Sequence, residues 1–375
     1  MKIKAAVLEE IGRAGPYAVS KPLRVQEIDL EGPGPGEVLI RMVAAGLCHS
    51  DLSVINGDRV RPVPMALGHE AAGIVEEVGA YVSDLQPGDH VVCVFVPSCG
   101  HCDPCAQGRP ALCEPGAQHN GTGDLLSGAF RLRRHGEIVH HHCGVSSFAE
   151  YATVSRSSLV KVDRDVPLHI AALMGCAVLT GAGAVFNGGD VKPGGTVAVV
   201  GLGGVGLAAI LGAVAAGSAT IVAVDRLDQK LEFAKDLGAT HTFRADDPDV
   251  VAKVREATKG GVETALEFAG STKALEFSYA ITRRGGTTVT AGLPNPKAML
   301  TLPAVSLVAE ERTLKGSYLG SGVPSRDIPR FLELYRRGKL PVDRLLTHRI
   351  ALEDINEGFD RLHDGSAIRQ IVDFL

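Results

Sequence analysis

Four cysteines fall within fifteen residues, Cys99, Cys102, Cys105 and Cys113, at C-x2-C-x2-C-x7-C spacing. Four thiolates so placed can converge on one tetrahedral cation, so the segment from about 97 to 115 reads as a lobe holding structural zinc. A disulfide knot would use the same residues. The chain opens MKIKAAVLEE, without a secretory apolar stretch, which favours a reducing, cytoplasmic setting and hence the metal. A second set is dispersed: Cys48 in GLCHSD, His69 in GHE, and Cys176 after Gly175. Two soft thiolates and an imidazole suit zinc with a fourth position open to water or substrate. A cysteine taken singly is usually a small buried hydrophobe, and Cys93 and Cys143 are read that way.

A third pattern points to a nucleotide. Gly201-Leu202-Gly203-Gly204-Val205-Gly206 fits G-x-G-x-x-G, in which absent side chains let backbone N–H groups and a helix N-terminus approach a pyrophosphate. The turn follows the β-branched run 196–200, opens a helical run over 207–216, and leads through 220–224 to Asp225. A carboxylate there accepts hydrogen bonds from the adenosine ribose and repels a 2′-phosphate, so NAD is expected rather than NADP. Arg226 alongside is the reservation, because a guanidinium can pair with that phosphate.

These groups need a scaffold, and the pattern of elements supplies one. No charged residue lies between Lys192 and Asp225, long enough for a bilayer span if helical. Its strand, glycine turn, helix and strand instead read as a buried β-α-β unit. The alternation continues with a helix over 228–237, a strand over 262–268, a helix over 272–282 and a strand over 287–291. The expected class is α/β, with a Rossmann doubly wound parallel sheet over 178–320. Strand-rich chain punctuated by Gly and Pro precedes it over 1–177, and a return over 321–375, with a packing helix near 328–337, follows it. Residues 116–147, with Arg131, Arg133, Arg134 and the run His140, His141 and His142, read as a surface loop, because adjacent side chains in extended chain diverge. With 45% hydrophobic and 22% charged residues and a net charge of -5, the chain reads as a soluble globular protein with neither nucleic-acid nor membrane partners.

Gly68-His69-Glu70-Ala71-Ala72-Gly73 with Val78 and Gly79, the four-cysteine lobe and the Gly201 to Gly206 turn occur in the order and spacing of zinc-dependent alcohol dehydrogenases. The chain resembles the medium-chain dehydrogenase/reductase family over essentially its whole length, as far as Ile368-Arg369-Gln370. The resemblance implies a GroES-like catalytic domain interrupted by an NAD-binding domain, with two zinc ions per subunit. It also implies reversible oxidation of a primary or secondary alcohol to an aldehyde or ketone, with hydride passing to NAD+.

Carried over by position, the resemblance makes Cys48, His69 and Cys176 the catalytic zinc ligands and Glu70 a transient ligand during water exchange. Asp51 becomes the carboxylate that fixes the His69 tautomer. Ser50 matches a proton-relay hydroxyl in the substrate pocket. The histidine that ends this relay in many relatives is Ser53 here, so His49 either takes that role or touches the cofactor pyrophosphate. Arg369 matches a pyrophosphate contact, Lys230 a contact near the adenosine ribose, and Val205 and Thr180 residues backing the nicotinamide. Phe95 matches a pocket wall. Arg59 replaces an apolar lining residue, which implies a polar or anionic substrate. The long loop and an edge strand over 314–319 imply a homodimer formed by sheet extension.

Two other functions compete. One is a thiol-adduct formaldehyde dehydrogenase: His49 is similar to that branch, whereas residues 56–64 and those after Cys113 do not reproduce its anion-binding pattern. The other is a zinc- and nucleotide-binding regulatory protein without catalysis, which the intact Cys48, His69 and Cys176 set opposes.

Overall fold

The computed structural model describes residues 1–374, and the chain forms two compact units. The first comprises Met1–Cys176, Val323–Leu332 and the chain from Leu346 onward; the second comprises Ala177–Gly322 and Glu333–Leu345.

In the first unit, strands Lys2–Leu8, Leu23–Leu30, Leu132–Arg134, Glu137–His141 and Met65–Ala66 close into a barrel. A second sheet runs in the order Leu159–Val162, His90–Cys93, Glu70–Val78, Glu37–Gly46, Arg369–Asp373 and Leu346–Ile350, with Tyr151–Ser155 also paired to Glu37–Gly46. The strand Glu37–Gly46 is buried almost throughout, as expected of a strand with sheet neighbours on both edges. Its register positions the site. Gly46 pairs with Glu70 on one side and with Ile371 on the other, which brings Cys48, His69 and Arg369 to one end of the sheet. A Cβ on Gly46 would lie 2.9 Å from the Glu70 carboxyl, so only glycine leaves room for that buried side chain.

Helical backbone over Leu168–Gly188 alternates α and π turns, and Cys176 lies in the π turn Met174–Val178. The stretch is long and apolar enough to cross a membrane, yet 89% of its most apolar window is buried within the protein, as in a core helix. Gly175 seats this turn: a Cβ there would lie 2.1 Å from the Cys93 carbonyl oxygen.

The second unit holds six parallel strands in the order His241–Arg244, Thr220–Asp225, Thr196–Val200, Val262–Glu267, Thr282–Thr290 and Thr313–Gly316. This is the doubly wound order. Helices Gly204–Ala215, Asp228–Asp236, Val250–Ala257 and Thr272–Ile281 alternate with the strands. The expected edge strand over 314–319 is shorter than read, because pairing stops at Gly316 and Leu319–Ser321 turns as a 3-10 helix with Gly320 at φ +66°.

The surface-loop reading of 116–147 is corrected. Glu114–Thr122 is a helix, and Leu132–Arg134 and Glu137–His141 are barrel strands. Met65 and Ala66 pair with His140 and His141, and this closure buries His141 and His142. The arginines are tied down as well. Arg131 pairs with Glu37 at 2.8 Å, Arg133 with Glu31 at 2.7 Å, and Arg134 with Glu9. Cys93 is buried as expected, whereas Cys143 is only partly buried.

Candidate active site

Cys48 precedes the helix His49–Ile55 as its N-cap, His69 directly precedes the strand Glu70–Val78, and Cys176 comes from the π turn. All three are buried and their donor atoms lie within 4.8 Å of one another. His69 Nε2 stands 3.6 Å from Cys176 Sγ. Tetrahedral zinc with ordinary Zn–S and Zn–N bonds places such atoms about 3.6 Å apart, so this donor set fits the metal. Hydrogen bonding from Cys176 and the charge of His69 hold the Cys48 thiol well below its ordinary range, while Cys48 and burial push Cys176 well above its own. Without a cation the pair holds one negative charge; a divalent cation supplies what the second thiolate needs.

Asp51 sits in the first turn of His49–Ile55, where its Oδ2 accepts from the Cys48 N–H at 3.3 Å in a capping box. Its Oδ1 lies 3.0 Å from His69 Nδ1 and accepts from the Gly68 N–H at 3.2 Å. Burial alone would raise this carboxyl. The charge of His69, the hydrogen bond from its ring and the His142 nitrogen 3.1 Å away outweigh it and hold Asp51 ionised. Burial opposes a charge on His69, but Asp51 and Cys48 raise it well above its ordinary range, so a metal at Nε2 would take the place of a proton while ionised Asp51 keeps the one on Nδ1. Glu70 and Arg369 form a buried ion pair beside these ligands. Burial raises the Glu70 carboxyl, and the guanidinium opposes it.

The sulfurs of Cys99, Cys102, Cys105 and Cys113 likewise gather within 4.8 Å of one another. Cys102 and Cys113 Sγ are 3.9 Å apart, near the about 3.8 Å of tetrahedral thiolates on zinc and far beyond a disulfide bond. Backbone N–H groups of Cys99 and Gly116 donate to Cys113 Sγ, and that of Cys102 to Cys99 Sγ. The backbone N–H of His101, ahead of other contacts, draws Cys99 down to about 7, while burial pushes Cys105 up to about 12. Joint ionisation of the four thiols needs a cation.

In the second unit Gly201 takes φ +89°, and Gly203 is the N-cap of Gly204–Ala215, with no side-chain cap and open space where its Cβ would be. A Cβ on Gly206 would lie 1.9 Å from the Gly201 carbonyl oxygen, so glycine lets the helix pack on the turn. The uncapped N–H groups at a 12-residue helix start fit a pyrophosphate. Asp225 ends its strand as expected, and its carboxylate accepts from the N–H groups of Leu202 at 2.7 Å and Arg226 at 2.8 Å.

Comparison with known proteins matches residues 34–164 to the alcohol dehydrogenase GroES-like domain and 204–337 to the zinc-binding dehydrogenase domain. A Mycobacterium tuberculosis protein provisionally named alcohol dehydrogenase D is 44% identical over 376 residues, 99% of this chain and 100% of that protein. The chain belongs to the zinc-type medium-chain dehydrogenase/reductases. An NDMA-dependent alcohol dehydrogenase of Amycolatopsis methanolica is 43% identical to this dehydrogenase over 99% of each chain. The crystal structure of benzyl alcohol dehydrogenase from Acinetobacter calcoaceticus superposes over 100% of both chains, with a TM-score of 0.93 at 35% identity.

The dehydrogenase places the remaining expected residues unevenly. Ser50 and His49 follow Cys48 on the first helical turn, Ser50 partly buried and His49 exposed. The Ser53 hydroxyl donates to the His49 carbonyl at 2.9 Å, so it is tied to its own helix. The Phe95 ring meets the His69 ring edge-on at 5.3 Å. Arg59 lies beyond the helix, partly buried, its N–H bonded to the Ser53 carbonyl. Gly181, next to Thr180, packs on the Val205 backbone, since a Cβ on it would lie 2.2 Å from the Val205 carbonyl oxygen. Lys230 is partly buried on Asp228–Asp236. One neighbour of the metal ligands escaped the sequence reading: His142, whose ring meets that of His69 edge-on at 5.4 Å. No local signal marks it, because its partners lie far away in the chain.

Proposed function

We propose that this dehydrogenase oxidises primary or secondary alcohols to aldehydes or ketones, reversibly, with NAD+ accepting hydride. The observation that carries the reading is the buried meeting of Cys48, His69 and Cys176 with Asp51 behind the imidazole. The alcohol dehydrogenase names of its relatives support it. Zinc on those three residues would supply Lewis acidity to the alcohol oxygen, and the nicotinamide the hydride acceptor. Asp51 keeps His69 in the metal-binding tautomer, Phe95 packs the ring in place, and Ser50 takes the alcohol proton and hands it toward His49. The Gly201 to Gly206 turn holds the pyrophosphate and Asp225 the adenosine ribose, while Thr180 and Val205 back the nicotinamide. Arg369, paired with Glu70, and Lys230 complete the cofactor contacts, and Arg59 favours polar or anionic substrates. The four-cysteine lobe holds a second, structural zinc.

The active form in this reading is a homodimer. The strand Thr313–Gly316 pairs on one edge only among the described residues, and Met299, Val305 and Val308 of the same unit are 83%, 73% and 82% exposed. An open edge and bare apolar side chains in one unit fit a second copy of the chain, and light scattering giving the mass of one chain overturns this part.

An alcohol panel with NAD+, followed by NADH absorbance, tests the activity. Zinc-dependent turnover of plain alcohols is expected. The name of the Amycolatopsis methanolica relative makes a second acceptor worth testing, and turnover that appears only with added NDMA overturns free NAD+ as the oxidant. Formaldehyde turnover that requires an added thiol overturns the choice of plain alcohols.

A further inference from the structure

Asp51 has more neighbours than a tautomer-fixing carboxylate needs. Besides the N–H groups of Cys48 and Gly68 and the His69 ring, His142 Nδ1 lies 3.1 Å from Asp51 Oδ1. His142 is only 3% exposed, and its Nδ1 sits off the line of a full hydrogen bond to that oxygen and has no other partner. A buried imidazole nitrogen with unmet bonding capacity has a cost, so its place beside a carboxylate calls for a reason.

The backbone is shaped to put it there. Cys143 and Ser146 both take left-handed conformations, φ +53° and φ +54°, which residues with a Cβ rarely adopt and which gather at functional sites. The Ser146 hydroxyl accepts from the His142 N–H at 3.0 Å, and the Val145 N–H returns to the His142 carbonyl at 3.0 Å. A tight turn thus fixes His142 at the end of a barrel strand, its ring against His69 and its Nδ1 against Asp51.

We propose that His142 is a positioning residue for the metal at Cys48, His69 and Cys176, acting through Asp51. The inference rests on the metal reading above. Two imidazoles share one carboxylate oxygen, and the outer one holds that oxygen in place for the inner one, which carries the metal. Outer partners of this kind are worth about 10–100-fold in metal affinity.

The test is chelator competition on the zinc-loaded, full-length protein, comparing wild type with His142→Phe and His142→Asn. His142→Phe should release the labile zinc at about tenfold lower chelator concentration, at the lower end of that range, because the backbone still holds Asp51. His142→Asn, whose amide can donate to the same oxygen, should recover most of the loss, and the four-cysteine zinc should be unaffected in both. Cobalt(II) in place of the labile zinc should show a visible band altered in His142→Phe and restored in His142→Asn. Should His142→Phe not fold, His142→Met provides the non-donating side chain. Wild-type retention in the non-donating variant, or equal weakening in both variants, overturns the proposal. So does a third metal per wild-type chain, which would make Asp51, His69 and His142 ligands themselves. A wild type with only one zinc overturns the metal reading instead, and this proposal with it.

Discussion

His69 Nε2 and Cys176 Sγ stand 3.6 Å apart although they are 107 positions apart in the chain. Two backbone facts produce the meeting. The register of Glu37–Gly46 against Glu70–Val78 sets His69, and the Gly175 turn pressed onto Cys93 sets Cys176.

Gly175→Ala tests the second of these. The added Cβ would overlap the Cys93 carbonyl, and the turn must move, carrying Cys176 away. Overpacking of this kind costs about 1–3 kcal/mol. Thermal unfolding should show that loss, and metal analysis a zinc content lowered at the three-ligand set while the cysteine lobe stays filled.

Cys102→Ser should act on stability before chemistry. It removes one of four sulfurs gathered within 4.8 Å of one another, and loss of a structural metal is among the few single changes that cost about 4 kcal/mol or more. Urea unfolding and soluble yield should fall, and the fraction that remains folded should keep its turnover per catalytic zinc.

Asp225→Ser should narrow the preference for NAD over NADP. The carboxylate is held by the Leu202 and Arg226 N–H groups at the strand end, and in the proposed reading its charge would face a 2′-phosphate. Removing about 1.4 kcal/mol of repulsion changes the ratio of kcat/KM values about tenfold. An unaltered ratio would place the ribose elsewhere.

His141 gives the fold a dependence on pH. Its Nε2 accepts from the Arg131 N–H at 3.0 Å, and burial pushes its pKa down to about 3. The unfolded chain binds a proton here below about pH 6.5. From there down to about pH 3 the unfolded state holds the extra proton, so stability falls with falling pH by up to about 1.4 kcal/mol per unit. His141→Leu leaves the Arg131 N–H without its acceptor and should cost about 1–3 kcal/mol at neutral pH. The unfolding free energies of variant and wild type should draw together between pH 7 and pH 4.5; a constant gap would contradict the assignment.

Some of this was legible in the sequence because its causes are local. The four cysteines lie within one fifteen-residue segment, and Gly206 is dictated by a backbone oxygen five residues earlier. The edge strand His241–Arg244 was not, because its residues carry no apolar run. The helical stretch from Leu168 escaped notice because Pro167 gives it no side-chain cap and it shows no polar face. His142 was misread for a different reason. Neighbouring side chains in extended backbone do diverge, as expected, but a closed barrel wall with packed surroundings buries His141 and His142 alike. Only the tertiary fold brings His142 to Asp51.

Zinc counted per chain by mass spectrometry, in wild type and in Cys48→Ser, tests the central claim most directly. Two zinc ions in the wild type, falling to one in the variant with turnover lost, is the predicted result. A wild type that turns over alcohol with a single zinc, kept unchanged in Cys48→Ser, would contradict the account.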